Sequence, residues 1–424
     1  MKILILSNIF PPGFIGGYEL GALEVAIELQ NMGHEIKVLT SDYFLDDLEE
    51  LKALNIDRSL ICYSTSHEAI PLELRVKKEL FYDFHNIRTL GSTIRRFNPN
   101  VVLLFNINGL GPISILQYLD KNKIPTVLYL MDNIFRGLES HFTIYKKYKE
   151  VFGSIQFGTS IKIIAMSKNI INEVVHAIDQ DLGVITYIPG WVDLRRVNAS
   201  LIIPKEGGYT RFVFSSRVAP HKGIDIIIDA AAKLIKNGFQ NFIIDVFGAG
   251  EVSLFIQKVK AMRLDKHISY QGLVSKNEML SVFSKYDILL FPTWEREPFG
   301  FVVSEAAAAG CFPILTNGIG ASEWFFDNYD CIKIRRNVDS LYAAMLQTIL
   351  ASKQDIYRMR TNALRLARSN FSLQKWLPVI EQTCMEMTNK MGYKDHYNMT
   401  RQIESAFMIL NSMLADTLNG SSPK

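Results

Sequence analysis

Cysteine is scarce: Cys62, Cys311, Cys331 and Cys384 are scattered over 424 residues, with no CxxC pair and no Cys/His spacing of a metal site. Such a distribution argues against a disulfide framework and against structural zinc. No apolar run reaches the roughly 18 residues expected of a membrane-spanning helix. The opening residues Met1–Leu6 pass straight into a strand-like pattern, without the longer apolar stretch and cleavage site of a signal peptide. An excess of one charge is also missing, since 46 Lys and Arg face 43 Asp and Glu for a net charge of +3. A surplus that small does not point to nucleic acid as a partner. A cytoplasmic protein is expected.

With 48% hydrophobic and 21% charged residues and no low-complexity tract, the chain can bury a substantial core. At roughly 150 residues per domain, its length suggests two or three domains, or two larger lobes. Two basic segments carry aromatic neighbours: Arg75, Lys77 and Lys78 with Phe81 and Tyr82, and Lys146, Lys147 and Lys149 with Tyr145 and Tyr148. That mixture would suit peripheral contact with the anionic inner face of a membrane, although solvated helix faces are the simpler reading.

Residues 3–6, 35–39, 101–105, 126–130 and 162–165 read as buried strands, and 22–33 as a helix with a glycine C-cap. The pattern closes at Ile188-Pro189-Gly190-Trp191-Val192-Asp193, and residues 199–209 form a polar Gly- and Pro-containing stretch taken as the linker. It then restarts with strands at 212–215, 242–247, 268–271, 288–291 and 313–316 and helices at 223–237, 252–262 and 301–309. Short apolar strands alternating with helices predict parallel α/β sheets. The expected division is 1–195, 196–380 and a helical segment 381–424 packing back on the first lobe. Within that segment, 400–418 carries apolar residues at helical spacing.

The most specific segment is Glu297-Pro298-Phe299-Gly300-Phe301-Val302-Val303-Ser304-Glu305, two carboxylates with seven residues between them across a strand-to-helix turn. Gly300 allows close backbone approach, and the amides of Phe299, Gly300 and Phe301 at a helix N-terminus suit an anion or sugar hydroxyls. Glu305 lies about one turn further along an otherwise small, apolar helix, where a buried carboxylate needs a hydrogen-bonding partner such as a ribose diol. The segment resembles the signature of family 4 retaining glycosyltransferases. That resemblance implies a GT-B fold, two Rossmann-like doubly wound domains facing across a cleft. It implies that Glu297 contacts the transferred sugar near its reacting carbon and that Glu305 holds the nucleotide ribose.

Further motifs fit the same family. Arg217 and Lys222-Gly223, directly after a strand, resemble its Arg and Lys-Gly pair. Fixed cations there would stabilise a diphosphate leaving group most in the transition state. His221 between them is expected to face solvent. The loop Pro11-Pro12-Gly13-Phe14-Ile15-Gly16-Gly17 resembles the family's N-terminal glycine loop, so Gly16 and Gly17 are expected at the donor diphosphate. It does not fit the G-x-G-x-x-G dinucleotide fingerprint. Gly248 is a further donor-contact candidate, Leu273 and Val274 are candidates for the nucleobase, and Asp193 shapes a turn. Where many family members carry a His, this chain reads Met131-Asp132-Asn133. A thioether cannot donate a hydrogen bond as imidazole does. Asp132, Asn133 and Asn106 are therefore the acceptor-side candidates.

The resemblance implies transfer of a hexose from a nucleotide sugar, UDP-glucose favoured, to a saccharide or lipid-linked saccharide acceptor. The nucleotide sugar is a co-substrate; no cofactor and no metal are expected, since no Asp-x-Asp motif lies at a strand end. An epimerase on the same scaffold and a catalytically idle nucleotide-sugar-binding protein are the alternatives.

Overall fold

The runs Val101–Leu104 and Ile288–Phe291 are buried at every residue, the pattern of central parallel strands covered on both faces by helices. A computed structural model describes residues 1–13, 16–43, 51–64, 72–197 and 208–388. The strands are β1 (Lys2–Leu6), β2 (Glu35–Ser41), β3 (Asn55–Leu60), β4 (Val101–Leu104), β5 (Thr126–Leu130), β6 (Ile161–Ala165) and β7 (Ile185–Tyr187) in the first half. The second half holds β8 (Thr210–Ser215), β9 (Phe242–Phe247), β10 (Ile268–Gly272), β11 (Ile288–Phe291), β12 (Phe312–Thr316) and β13 (Ile332–Ile334).

Among the described residues these form a seven-stranded sheet ordered β3-β2-β1-β4-β5-β6-β7 and a six-stranded sheet ordered β10-β9-β8-β11-β12-β13. Every pairing in both is parallel. In each sheet the order reverses once, between β1 and β4 and between β8 and β11. At such a reversal the loops leaving the two strands diverge to opposite faces and leave a crevice beyond their carboxyl ends.

The chain divides into two compact units. One comprises residues 1–165, 170–187 and 377 onward, the other 166–169 and 188–376. The crossover at 187/188 precedes the expected boundary at 195/196, because the intervening residues pack in the second unit. The Val192 amide donates to the Phe371 carbonyl at 2.7 Å, and the rings of Trp191 and Phe301 meet edge to face at 6.2 Å. Asp193 accepts from the Arg195 amide at 3.1 Å and from its guanidinium at 2.8 and 2.9 Å. Burial would raise the Asp193 carboxyl, but these bonds hold it below its usual range. Residues 166–169 join the second unit through the Glu323 carboxylate, which accepts from the amides of Lys168 and Asn169 at 2.8 and 3.0 Å. From Leu377 the last described helix belongs to the first unit, where Glu381 meets His34 at 2.7 Å. The linker expected at 199–209 lies outside the described residues save its last two, and the segment 400–418 lies wholly outside them.

Helix register removes the aromatic component of the two basic segments. Tyr145 and Tyr148, three apart, turn inward and are buried, as are Phe81 and Tyr82, while Lys146 stays exposed. In the first segment the cations are not a free solvated face either: Lys78 donates to the Tyr63 hydroxyl at 2.8 Å and to Asp83 at 3.1 Å, and Arg75 to the Tyr63 carbonyl at 3.2 Å. No helix among the described residues is long and apolar enough to cross a membrane.

Beneath the second sheet, Arg360 and Asp287 form a buried pair at 3.0 Å. Arg360 also donates to the Gly310 carbonyl at 2.7 Å, and Asp287 accepts the Arg211 amide at 3.1 Å. Each charge has partners beyond the other, the condition under which a buried ion pair is tolerated.

Candidate active site

The loops leaving β8 and β11 carry the predicted catalytic residues, Arg217, Lys222 and Glu297. After β8 the chain enters a short 3-10 turn, Pro220–Lys222, ending at Gly223 with φ of 83°. A Cβ at Gly223 would stand 2.1 Å from the Pro292 carbonyl oxygen, so only glycine lets the two loops lie together. The Lys222 ammonium then donates to the Glu297 carboxylate, and both side chains are largely shielded from water. Thr293 adds its hydroxyl to the same carboxylate oxygen at 3.4 Å.

The Glu297 backbone is fixed as well. Its amide donates to the Trp294 carbonyl at 3.1 Å and its carbonyl accepts from Gly320 at 3.1 Å, where a Cβ would meet the Pro298 oxygen at 1.8 Å. Gly300 (φ 91°) caps the helix Phe301–Ala308, its carbonyl accepting the Val303 amide at 2.9 Å. Glu305 on that helix is 8% exposed, and the Lys276 ammonium lies 3.7 Å from its carboxylate and 5.9 Å from the Phe301 ring.

Arg217 is exposed at the start of the β8 loop. His221, which lies between Arg217 and Lys222 in sequence, is not the solvent-facing residue expected. The ring is half-buried, packs edge to face on Trp294 at 5.4 Å, and its carbonyl accepts the Trp294 amide at 2.9 Å. Burial, then the charges of Lys222 and Arg217, push its imidazole below the usual range, with Glu297 opposing and Arg336 adding to the effect. Lys222 and Glu297 are thus in direct contact, with Arg217 on the same loop as Lys222.

The other candidates of this unit divide. Leu273 is 75% exposed at the end of β10, with Val274 half-buried beside it. Phe299 is buried: its ring lies 5.9 Å from Phe371 and occupies the space a Cβ on Gly190 would need. Its side chain is core, leaving only its backbone for a ligand. Gly248 (φ 134°) lies against the Arg217 loop, where a Cβ would stand 2.0 Å from the Ser216 oxygen. The need for glycine there is internal packing.

In the first unit, Gly16 precedes the helix Gly17–Asn31 and donates to Glu19 at 3.0 Å, and a Cβ on it would meet nothing within 4 Å. Asn106 follows β4 and accepts the Asn108 amide at 3.1 Å, and its carbonyl accepts from Asn8 after β1. Beyond β5, Asp132 accepts the Asn133 amide at 2.7 Å and Asn133 accepts the Phe135 amide at 2.9 Å. Asn133 is buried, whereas the Asp132 carboxylate keeps about a third of its surface, 4.0 Å from Arg136. Met131 is buried, its amide bonded to the Tyr18 hydroxyl at 2.7 Å. Tyr18, Lys276 and Arg336 escape sequence reasoning because each reaches its partner through space, whereas Thr293 is missed although Glu297 lies four residues on. Tyr18, beside the glycine loop, and Thr293, close before Glu297, had a local signal.

Among the described residues no group of three or more His, Cys, Asp or Glu could hold a metal ion.

Comparison with known proteins accords with this geometry. The chain matches the family model for Glycosyltransferase Family 4 over residues 15–196 and that for Glycosyl transferases group 1 over residues 201–365. It is 24% identical over 343 residues to a glycogen synthase of Mycobacterium tuberculosis, covering 76% of this chain and 78% of that protein. It is also 24% identical over 335 residues to an uncharacterized glycosyltransferase of Methanocaldococcus jannaschii, covering 76% and 81%. A crystal structure of a glycosyltransferase from Rickettsia africae superposes with a TM-score of 0.71 at 18% identity, covering 92% of this chain and all of that one. Anabaena Alr3699/HepE, solved in complex with UDP-glucose, superposes with a TM-score of 0.64 at 18% identity, again over 92% and 100%. Two parallel α/β sheets of GT-B type, and family models that together span the chain from residue 15 to residue 365 save for 197–200, place this protein in glycosyltransferase family 4, the glycosyl transferases group 1, a family of retaining enzymes.

Proposed function

We propose that the protein transfers a hexose from a nucleoside diphosphate sugar, with UDP-glucose favoured, to a saccharide or lipid-linked saccharide, retaining the anomeric configuration. The observation that carries this reading is the Lys222–Glu297 pair at the β8/β11 reversal, with Arg217 and Glu305 on the adjoining loop and helix. UDP-glucose is favoured because a structural neighbour was solved with it.

In this reading Arg217 and Lys222 hold the diphosphate. As the bond between the sugar's anomeric carbon and the phosphate oxygen breaks, negative charge grows on the departing oxygen and the cations bind it more strongly than before. The acceptor oxygen attacks from the face the phosphate leaves, and a phosphate oxygen takes the acceptor's proton. Glu297, released from Lys222 when the diphosphate engages that lysine, accepts hydrogen bonds from sugar hydroxyls. Glu305 takes the ribose diol, the amides of Gly300 and Phe301 face donor oxygens, and Leu273 and Val274 offer an apolar edge to the base. In the first unit the helix opening at Gly16 and Gly17 suits an anion. Asp132, Asn133 and Asn106 are assigned to the acceptor, with Asp132 the strongest since its carboxylate is the accessible one.

The test is incubation of the purified protein with a panel of nucleotide sugars. Thermal stabilisation by UDP and UDP-glucose, and slow release of glucose whose first-formed anomer matches the donor, are expected. Failure of every nucleotide sugar to raise the melting temperature or release sugar would refute the reading. Stabilisation without release would favour a binding protein, and an altered sugar formed without acceptor would favour an epimerase.

A further inference from the structure

The Pro220–Lys222 turn is one 3-10 turn long, too short to hold its own shape, because a single such turn fixes three residues with few internal hydrogen bonds. Its own bonds run from the Lys222 amide to the Ala219 carbonyl and from the Gly223 amide to the Pro220 carbonyl, both at 3.0 Å, and its two leading carbonyls are also held from outside. His221 accepts the Trp294 amide at 2.9 Å from the β11 loop. Pro220 accepts the Arg336 guanidinium Nη2 at 2.7 Å, from the loop that follows β13 at the sheet's edge. The Arg336 Nε is buried without an acceptor, while the Nη2 that grips Pro220 lies on the exposed side. Arg336 also adds to the positive field at His221, alongside Lys222 and Arg217 and against Glu297, which puts its charge within reach of the same cluster.

We propose that Arg336 is a positioning residue of the transfer reaction: by clamping the Pro220 carbonyl it fixes the turn that presents the Lys222 ammonium to Glu297. The inference rests on the reading of Lys222 as the cation that meets the leaving phosphate. Acting through Lys222, Arg336 matters most when charge develops, so its loss falls on kcat more than on donor KM.

The test uses Arg336→Met, Arg336→Lys, Lys222→Ala and the double variant Lys222→Ala/Arg336→Met of the full chain. Arg336→Met should lower kcat on the order of tenfold to a hundredfold, the range expected of a small misplacement near the reacting atoms. Arg336→Lys, which keeps a donor and the charge, should recover part of the rate and guards against a methionine variant that does not fold. The double variant should be no slower than Lys222→Ala alone, because the two residues act as one unit. A second readout needs no turnover: the His221 imidazole, followed by NMR, should titrate at higher pH in Arg336→Met than in the wild type. Independent, multiplying losses in the double variant, or a His221 titration unmoved by removal of Arg336, would overturn the proposal. If no nucleotide sugar is ever turned over, the functional reading fails and takes the positioning role with it, whereas turnover with independent losses overturns the positioning role alone.

Discussion

Gly223 and Pro292 touch backbone to backbone: a Cβ on the glycine would stand 2.1 Å from the proline carbonyl oxygen, at a φ of 83° that favours glycine. The contact joins the loops after β8 and β11, and Lys222 and Glu297 lie on those two loops. Gly223→Ala should therefore cost stability by about 1–3 kcal/mol, the range for a strained backbone position, and depress turnover further than the lost stability explains. Denaturant unfolding and steady-state rates on the same preparation check this. An alanine variant with wild-type stability would show that the loops can separate freely.

Glu297→Gln and Lys222→Ala probe the ion pair from both sides. With charge removed from Glu297 but its size kept, transfer should fall on the order of a hundredfold to a thousandfold. UDP affinity should be unchanged or tighter, since the carboxylate no longer competes with phosphate for Lys222. Lys222→Ala should chiefly slow the rate. Calorimetry with UDP and rates with a donor separate the two roles, and a pair of variants with wild-type turnover would contradict both.

Nucleotide affinity should depend on Glu305 and Leu273 for different reasons. Glu305→Ala removes a charged hydrogen-bond acceptor, worth about 1.5–3 kcal/mol and so about ten- to a hundredfold in UDP affinity. Leu273 is 75% exposed, so Leu273→Asp should leave the melting temperature of the free protein alone while weakening UDP binding. Equal UDP affinity in the wild type and both variants would place the nucleotide elsewhere.

His221 titrates below the usual imidazole range because it is partly buried and faces Lys222, Arg217 and Arg336. Below the unfolded pKa, about 6.5, the unfolded chain takes up a proton at this position more readily than the folded protein does, so folding stability falls with the pH. Above it both states are neutral there and the group contributes nothing. His221→Asn should therefore match the wild type's pH dependence near pH 8 and lose less stability than the wild type between pH 7 and 5. Melting curves of the two proteins across that range decide it; parallel curves would remove His221 as the cause.

The central strands were legible because burial on both faces leaves uninterrupted apolar runs, as in β4, β5 and β11. Strands β3, β7 and β13 went unread, and each lies at the edge of its sheet. An edge strand is covered less, so β3 could be Asn-Ile-Asp-Arg-Ser-Leu and β7 only three half-buried residues, neither with a clear period. The helix read as starting at Ala22 begins at Gly17, because a Gly-Tyr-Glu-Leu-Gly opening weakens the apolar repeat. At the site, the carboxylates and the glycine turn stood out because their spacing is local. His221 was misjudged because Trp294, which covers it, is distant in sequence.

By itself the sequence determined which chemical groups follow which strands: two carboxylates around a glycine turn after β11, and an arginine and a lysine after β8. Those assignments survive because strand, turn and helix are set by neighbouring residues. Only the tertiary structure decided that Lys222 pairs with Glu297, that Lys276 lies by Glu305 and that Arg336 holds the Pro220 carbonyl. Each of those pairs depends on the order of strands in the sheet: Lys222 meets Glu297 because β8 lies beside β11, and Lys276 and Arg336 come from the segments after the two edge strands, β10 and β13.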